Sequence, residues 1–235
     1  MPAHTKKREA ETPRERLTRD RVVEAALRIM DEEGLDAVTM RRVAREVGVE
    51  AMSLYHHVRD KEDLLDAICA RVMQEFRFPE EDRPWIEVAR DGAREWRRVL
   101  RDHPNVMAVW ADRQRPMTDL EALMPMEFAL RVIGRAGIDE RASVQVFNVI
   151  GGYIMGVVMM EVGAMFSAGT TRGDQSVDLH GKLGGADILA MLPADRLPRL
   201  VASLPYLAEC DPDEQFEYGL ELLLAGIQAK AATAD

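Results

Sequence analysis

The chain has 235 residues, of which 47% are hydrophobic and 31% are charged, and it carries a formal net charge of −10. This composition is typical of an ordinary soluble protein, and the length allows one large domain or a small domain followed by a larger one. Two cysteines, Cys69 and Cys210, are too few and too far apart for a disulfide framework or a zinc site. They favour a reducing compartment such as the cytoplasm.

The negative charge is unevenly distributed along the chain. Residues 1–78 contain nearly equal numbers of basic and acidic side chains, so the excess of acid lies in the remainder. Affinity for DNA comes largely from neutralising phosphates, which a strongly acidic domain cannot do. A near-neutral domain can still bind DNA if its basic side chains share one face.

The first 16 residues are polar and contain no apolar segment of the kind that a secretory signal needs. We predict that they form a disordered arm. An alternative is that their lysines and arginines reach the DNA backbone or minor groove, which the interleaved glutamates disfavour.

Two short helices joined by a tight turn are predicted between residues 39 and 61. A preceding helix begins after Thr18, a suitable N-cap, and ends at Gly34. Thr39 is the N-cap of the next helix, Gly48 allows that helix to stop within one residue, and another helix starts near Glu50. This is the spacing of a helix-turn-helix. Its apolar stripe comprises Met40, Val43, Ala44 and Val47.

The residues of this segment carry a more specific pattern: Thr-x-Arg, Ala-x-x-x-Gly-Val, Ser-Leu-Tyr-x-His-Val and a final Lys, between positions 39 and 61. The pattern resembles the DNA-binding domain of the tetracycline-repressor (TetR) family. The resemblance is specific over residues 17–77, weak over the last helix, and limited to the layout of helices between them.

The resemblance implies an all-α fold with a helix-turn-helix DNA-binding domain that includes a connecting fourth helix. We place this domain at residues 17–78, because a polar, Pro-bounded break follows Phe78. Residues 79–235 would then form a helical ligand-binding and dimerisation domain. The implied function is that of a homodimeric repressor, which binds a palindromic DNA operator and is released by a small apolar effector.

The residues expected to read base edges are Arg41, Ala51, Met52 and Ser53. Arginine can make a bidentate contact to guanine, whereas Ala51 and Met52 can offer apolar contact to a thymine methyl group. The resemblance implies phosphate contacts from Thr39, Ser53, Tyr55, His57 and Lys61. The alternatives are that Tyr55 is a core aromatic residue, His57 a solvent-exposed histidine and Lys61 an ordinary surface lysine.

Further helices are predicted in the second domain. They begin near Trp85, near Val106, at or before Pro125, after Asp139 and after Asp211. Residues 168–190 are polar and rich in glycine, and they predict a mobile loop that lacks the order of residues of a phosphate-binding P-loop.

The helix after Asp139 is the most apolar of the chain. Asn148 and Glu161 bracket an uninterrupted apolar run that is too short for a bilayer, so we predict no membrane span. We predict instead that the helix is fully enclosed by protein. Small residues on this helix and on the last helix predict close helix contacts, and the resemblance places both helices in a dimeric four-helix bundle. The predicted dimer contacts are Gly152, Gly156, Gly219, Leu223 and Gly226.

Aromatic and methionine side chains of the second domain are candidates for an apolar ligand pocket, with ordinary core packing as the alternative. They are Trp96, Trp110, Phe128, Phe147, Met155 and Met159. The metal-assisted drug site of the tetracycline repressors does not carry over, because Arg77 and Met107 stand where that site has histidines. We therefore expect no metal and no cofactor.

The sequence contains no catalytic constellation, so we predict that the protein is not an enzyme. An alternative from another class is a helical small-molecule-binding or catalytic protein whose helix-turn-helix serves protein contacts. Such a protein would have no salt-dependent affinity for DNA.

Overall fold

The computed structural model describes residues 16–111, 119–163, 193–208 and 211–232. Every regular element within these ranges is a helix, which confirms the predicted all-α class. The predicted loop at 168–190 lies outside the described residues, as does the predicted arm except for Arg16.

The chain separates into two compact units, Met1–Ile68 and Cys69–Asp235. The division falls inside a helix, α4 (Lys61–Met73), and the functional boundary after Phe78 stays a prediction. A continuous helix therefore runs from one unit into the next, which no composition change in the sequence indicates.

The first unit contains α1 (Arg19–Glu33), a single 3₁₀ turn (Leu35–Ala37), α2 (Met40–Val47), α3 (Ala51–Leu54) and the start of α4. The Thr18 hydroxyl accepts the N–H of Arg21 at 3.2 Å, and Gly34 ends α1 with a φ of 89°, so both predicted ends are confirmed. Helix α1 packs on α2, and α2 packs on α3. The fully buried core of this unit comprises Val22, Ala26, Met30, Val38, Val43, Leu54, Leu64 and Ile68.

Asp63 is the polar centre of the first unit. Its carboxylate accepts a hydrogen bond from Arg19 at 3.0 Å and another from the backbone N–H of Arg59 at 2.8 Å. The hydrogen bond from Arg19 outweighs burial and lowers the pKa of Asp63 below its ordinary value. Arg19 also donates to the carbonyl of His57 at 2.7 Å. One guanidinium thus connects the start of α1 with the turn after α3 and with α4.

The second unit contains α5 (Trp85–Asp102), α6 (Val106–Ala111), α7 (Leu120–Gly134), α8 (Glu140–Glu161), α9 (Pro198–Ala208) and α10 (Pro212–Ala231). Helices α5, α7 and α8 pack against one another, and α10 packs on α8 and α5. Asp139 and Asp211 cap α8 and α10 by accepting backbone N–H groups, as the sequence predicts. Pro125 lies inside α7 and not at its start.

Helix α10 is held against α5 by a ladder of ion pairs at helical spacing. The pairs are Arg90–Glu221, Arg94–Glu217 and Arg97–Asp213. Arg97 also pairs with Glu161 at the end of α8, and the exposed fractions of these two side chains are 9% and 12%. Buried charges need such mutual partners, because an unpaired one would carry a large desolvation cost. The fully buried side chains of Phe216, Leu220 and Leu224 set which face of α10 turns inward, and the ion pairs lie beside that face.

The prediction that α8 is fully enclosed is wrong for the single chain. Only 17% of its most apolar 18-residue window, which has a mean hydropathy of 1.6, is buried. By length and composition this helix could cross a membrane, but core helices of soluble proteins meet the same criterion. Gln145 and Asn148 lie on its exposed surface. Polar amides are costly in lipid and are accommodated readily at a contact between proteins.

Candidate functional site

The turn between α2 and α3 has the geometry of a helix-turn-helix. Gly48 adopts the left-handed conformation, with φ 75° and ψ 35°. The N–H of Val49 then donates to the carbonyl of Ala44 at 3.0 Å, which closes the end of α2. At the other end of α2, the Thr39 hydroxyl accepts the N–H of Arg42 at 3.2 Å. Its own proton remains available to a phosphate oxygen.

The arginines of α2 divide into two kinds. Arg42 pairs with Glu33 at 2.6 Å and with Glu46 at 2.7 Å, and these two carboxylates raise its pKa. Arg41 and Arg45 are exposed and make no hydrogen bond or ion pair within the described residues. Since they are four residues apart, they share one face of the helix. Arg45 is absent from the predicted reading residues, although its spacing from Arg41 could have indicated it.

Helix α3, which is predicted to read the DNA bases, has one buried side chain, and its other side chains are exposed or half-buried. Leu54 is fully buried, whereas Met52 is 74% exposed and Tyr55 is 47% exposed. Ala51 and Ser53 are half-buried beside them. The exposure of Tyr55 rules out the core-aromatic alternative.

His57 and Lys61 flank the start of α4. His57 is half-buried, and Lys61 is the exposed first residue of that helix. Asp60 caps the helix by accepting the N–H of Asp63 at 2.7 Å. A phosphate beside Lys61 would therefore lie near a helix N-terminus, where backbone dipoles favour an anion.

The second unit encloses a cavity of about 360 Å³, lined largely by α5, α7 and α8. Its size is within the range of pockets that bind small molecules. Five of the six predicted ligand residues line it: Trp96, Trp110, Phe128, Phe147 and Met155. Met159 is not among the lining residues. It lies one helical turn beyond Met155, and helical position alone does not fix how far a cavity extends.

Aromatic rings form one wall of this cavity. Trp96 and Trp110 are stacked, with ring centroids 5.6 Å apart and planes 5° from parallel. The ring centroid of Phe76 lies 6.2 Å from that of Trp96 and 5.9 Å from that of Phe128. Gly92 lets the Phe128 ring lie close to α5, because a Cβ added at position 92 would lie 3.2 Å from that ring. The wall is therefore suited to flat apolar compounds.

Several residues of the cavity are missing from the sequence prediction, among them Met73, Phe76, Asn148 and Gly151. The small residues of α5 indicate space beside that helix. Nothing in the sequence indicates that the end of α4 contributes Met73 to the wall. No charged side chain lines the cavity within the described residues. The same residues contain no group of three or more acidic, histidine or cysteine side chains that could hold a metal ion.

Helices α8 and α10 leave exposed stripes of apolar and small residues, which we call the α8–α10 surface. It comprises Val149, Gly152, Met160, Tyr218, Leu222 and Gly226. An added Cβ at Gly152, Gly156 or Gly226 would meet no atom within 4 Å, so nothing within the described chain requires glycine there.

Two of the predicted dimer contacts have a different setting. An added Cβ at Gly219 would overlap the ring and hydroxyl of Tyr153, so this glycine is needed for packing within the single chain. Leu223 is half-buried, and its neighbour Leu222 is the exposed residue, at 60%. The reason is that α10 buries Phe216, Leu220 and Leu224, which leaves Leu222 on the opposite side of the helix.

A helix-turn-helix with two free arginines, on a chain that also encloses an apolar cavity, defines a ligand-responsive DNA-binding regulator. Residues 22–68 match the family described as bacterial regulatory proteins, tetR family, and residues 78–231 match the tetracyclin repressor-like C-terminal domain. The chain belongs to the TetR family of transcriptional regulators, and it is a repressor and not an enzyme. The alternative of a catalytic protein whose helix-turn-helix serves protein contacts has no support.

The chain is similar to relatives over nearly its whole length. It is 31% identical over 230 residues to the HTH-type transcriptional repressor DrrR1 of Streptomyces coeruleorubidus, covering 97% of this chain and 83% of that protein. It is 27% identical over 219 residues to the class D tetracycline repressor protein of Escherichia coli, covering 92% and 91%.

Solved structures of ActR from Streptomyces coelicolor have the same fold. Apo ActR gives a TM-score of 0.78 at 29% identity, covering 96% of this chain and all of that one. ActR in complex with actinorhodin gives a TM-score of 0.76 at 29% identity, with coverages of 92% and 99%.

Proposed function

We propose that this repressor acts in the cytoplasm as a homodimer on a palindromic operator, and that an uncharged aromatic compound in the cavity releases it. In this proposal residues 17–78 hold the DNA and residues 79–235 hold the effector and the partner protomer. The observation that carries the proposal is α4. This one helix begins with Lys61 beside the helix-turn-helix and ends with Met73 in the wall of the cavity.

Base readout is assigned to Arg41 and to Ala51, Met52 and Ser53. The free guanidinium of Arg41 supports a bidentate contact to guanine, and the exposed Met52 supports an apolar contact to a thymine methyl group. Phosphate contacts are assigned to Thr39, Ser53, Tyr55, His57 and Lys61. Arg45 joins them, because it is free and lies on the same face of α2 as Arg41.

The dimer is assigned to the α8–α10 surface. Exposed apolar side chains on two helices that pack against each other favour a self-complementary contact, in which a second copy completes a four-helix bundle. The glycines at its centre let the helices of the two copies approach closely. Such a dimer presents two reading helices to half-sites whose centres are about 34–36 Å apart.

The effector is assigned by the chemistry of the cavity. Its wall is apolar and aromatic and carries no charged side chain within the described residues, so a charged compound would lose its hydration without gaining a partner. ActR, which shares the fold, has been crystallised with actinorhodin. We infer an uncharged, largely apolar, flat compound that binds without a metal ion.

The way in which the ligand would release the DNA follows from the fact that α4 is one continuous helix. A ligand that displaces Met73 or Phe76 would shift the end of the helix whose first residue contacts a phosphate. Changing a dimer from almost wholly competent to almost wholly incompetent requires a ligand that prefers one state by about 5.5 kcal/mol. Burial of a multi-ring apolar compound can supply free energy of that order.

Arg41→Ala and Arg42→Ala form a matched pair that tests the DNA assignment. Both remove an arginine from α2, but only Arg42 is engaged within the protein. We expect Arg41→Ala to weaken operator binding by about 1–3 kcal/mol and to relax specificity at one base pair, with unchanged thermal stability. We expect Arg42→Ala to lower stability. Fluorescence anisotropy with a labelled operator and thermal unfolding measure the two effects, and unaltered operator affinity in Arg41→Ala would contradict the assignment.

Leu222→Glu tests the dimer. Its control is Leu120→Glu, because Leu120 is equally apolar, is 70% exposed and lies outside the α8–α10 surface. Sedimentation equilibrium should give a monomer for Leu222→Glu and a dimer for Leu120→Glu, since a buried unpaired carboxylate is costly. A Leu222→Glu dimer as stable as the wild type would place the interface elsewhere.

A further inference from the structure

We propose that Gly151 sets the size of the effector: the open space beside this glycine receives an additional ring, so that the effector is a compound of three or more fused rings. This inference rests on the proposed role of the cavity as the effector site. It adds to that role a position that selects compounds by size, which an apolar wall alone would not do.

The observation that carries the inference is a glycine that the protein's own packing does not require. Within the described residues two glycines line the cavity, Gly92 and Gly151, and both lie inside helices, where alanine is more favourable. At Gly92 an added Cβ would lie 3.2 Å from the Phe128 ring, so the fold itself uses that space. At Gly151 an added Cβ would meet no atom within 4 Å. The described chain therefore leaves the space beside Gly151 open.

This open space belongs to the cavity and not to the outer surface of α8. Phe147 lies four residues before Gly151, and Ile154 and Met155 lie three and four residues after it, so the three surround it on one face of the helix. All three line the cavity. Gly152 is turned about 100° away from Gly151 and lies on the exposed α8–α10 surface. A side chain at position 151 would therefore project into the cavity.

The volume of the cavity agrees with an effector of several rings. Filled to about three-quarters, the packing density of protein interiors, a cavity of about 360 Å³ holds a molecule of about 270 Å³. A two-ring aromatic compound is much smaller than that and would leave part of the wall without contacts, which forfeits dispersion energy. Compounds of three or four fused rings can fill the space beside Gly151 as well as the rest of the cavity.

1-Indanone and fluorenone provide a matched pair of probes. Both contain a ketone in a five-membered ring fused to benzene, and fluorenone carries one more fused benzene ring. Equilibrium dialysis against the intact protein, with each compound measured by its own absorbance, gives both dissociation constants. For the wild type we expect fluorenone to bind at least about tenfold more tightly, because its additional ring buries four more carbon atoms.

Two leucine variants test whether the additional ring lies beside Gly151. Gly151→Leu fills that space, whereas Gly134→Leu places the same side chain on α7 at a position that is exposed and does not line the cavity. We expect Gly151→Leu to lose at least about tenfold in affinity for fluorenone and less than about threefold for 1-indanone, so that the preference for the larger probe disappears. Gly134→Leu should keep both affinities of the wild type.

A measurement on the wild type does not depend on how well a leucine variant folds. In protein labelled with ¹³C at glycine, the α-proton signal of Gly151 is the one that is missing from the spectrum of Gly151→Ala. Fluorenone should shift this signal through the ring current of its additional ring, and 1-indanone should shift it less. The signal of Gly134 should not move with either probe.

The outcomes distinguish this inference from the proposed function. Equal affinities of the two probes for the wild type, an equal loss or no loss of both affinities in Gly151→Leu, or bound fluorenone without a shift of the Gly151 signal would each overturn the role of Gly151 and leave the cavity as the effector site. Binding of neither probe to the wild type would overturn the aromatic effector site and this inference with it.

Discussion

Replacing Gly219 with alanine tests how α10 packs on α8. The Tyr153 hydroxyl donates to the carbonyl of Phe216 at 2.9 Å and lies 3.2 Å from that of Gln215. Its ring stacks on Phe216 with centroids 5.9 Å apart. Burial raises the pKa of Tyr153 above its ordinary value. A methyl group at Gly219 would occupy the space of this ring and hydroxyl.

Opposing effects decide how much Gly219→Ala changes the free energy of unfolding. Alanine is favoured over glycine inside a helix by about 1 kcal/mol. Overpacking costs about 1–3 kcal/mol, and displacing Tyr153 from its carbonyl acceptor costs about 0.5–1.5 kcal/mol more. The difference between these effects predicts that Gly219→Ala lowers the free energy of unfolding by about 2 kcal/mol, within a range of about 0.5–3.5 kcal/mol.

Urea unfolding at one fixed protein concentration measures this change as a lower midpoint with an unchanged slope. Gly134→Ala in α7 is the control, because an added Cβ there meets no atom within 4 Å, and it should be at least as stable as the wild type. In a Tyr153→Leu background the cost of Gly219→Ala should shrink by more than about 0.5 kcal/mol, the signature of a direct contact. If Gly219→Ala were as stable as Gly134→Ala, the packing described for α8 and α10 would be refuted.

Two further predictions concern Asp63 and the cavity. Asp63→Asn should destabilise the first unit by about 2 kcal/mol at neutral pH, a value at the lower end for charged hydrogen bonds because Arg19 is 45% exposed. Since the folded-state pKa lies below 3.8, the stabilisation from this carboxylate is present above that pH and is lost as pH falls through the folded value. Thermal unfolding between neutral and acidic pH should thus show a smaller acid-induced loss in the asparagine variant, and equal losses would contradict this role. Gly151→Leu should fill part of the cavity and weaken the binding of a flat, uncharged aromatic probe, fluorenone, at least about tenfold by equilibrium dialysis, whereas Gly151→Ala should bind this probe nearly as the wild type does. Undiminished binding in the leucine variant would place the ligand elsewhere.

The features that the sequence predicts well are those set by local chemistry. Thr39 caps α2 and Gly48 ends it because hydroxyl and glycine satisfy requirements of the backbone within a few residues. Asp139 and Asp211 begin their helices for the same reason. The cavity is predicted in outline, since aromatic and methionine residues recur beside small residues of α5.

The features that the sequence does not predict depend on contacts between residues distant in the chain. A single sequence does not say which carboxylate each arginine meets, so pairs such as Arg94–Glu217 are not predicted. Nor does it say that α10 packs with Gly219 against Tyr153 of the same chain, an arrangement that leaves Leu222 exposed and Leu223 half-buried. The exposure of α8 has a similar origin. The sequence of an apolar helix has the same pattern whether residues of its own chain or those of another chain cover it.

The most direct test of operator binding is selection of genomic fragments from the source organism by the purified protein at moderate salt, followed by sequencing of the retained DNA. We expect a small set of fragments that share an inverted repeat with half-sites one helical turn apart, or a multiple of it. We also expect Arg41→Ala, which retains the fold, to lose that selectivity. Retention without enrichment of any sequence by the wild-type protein would contradict the assignment of the helix-turn-helix as an operator reader.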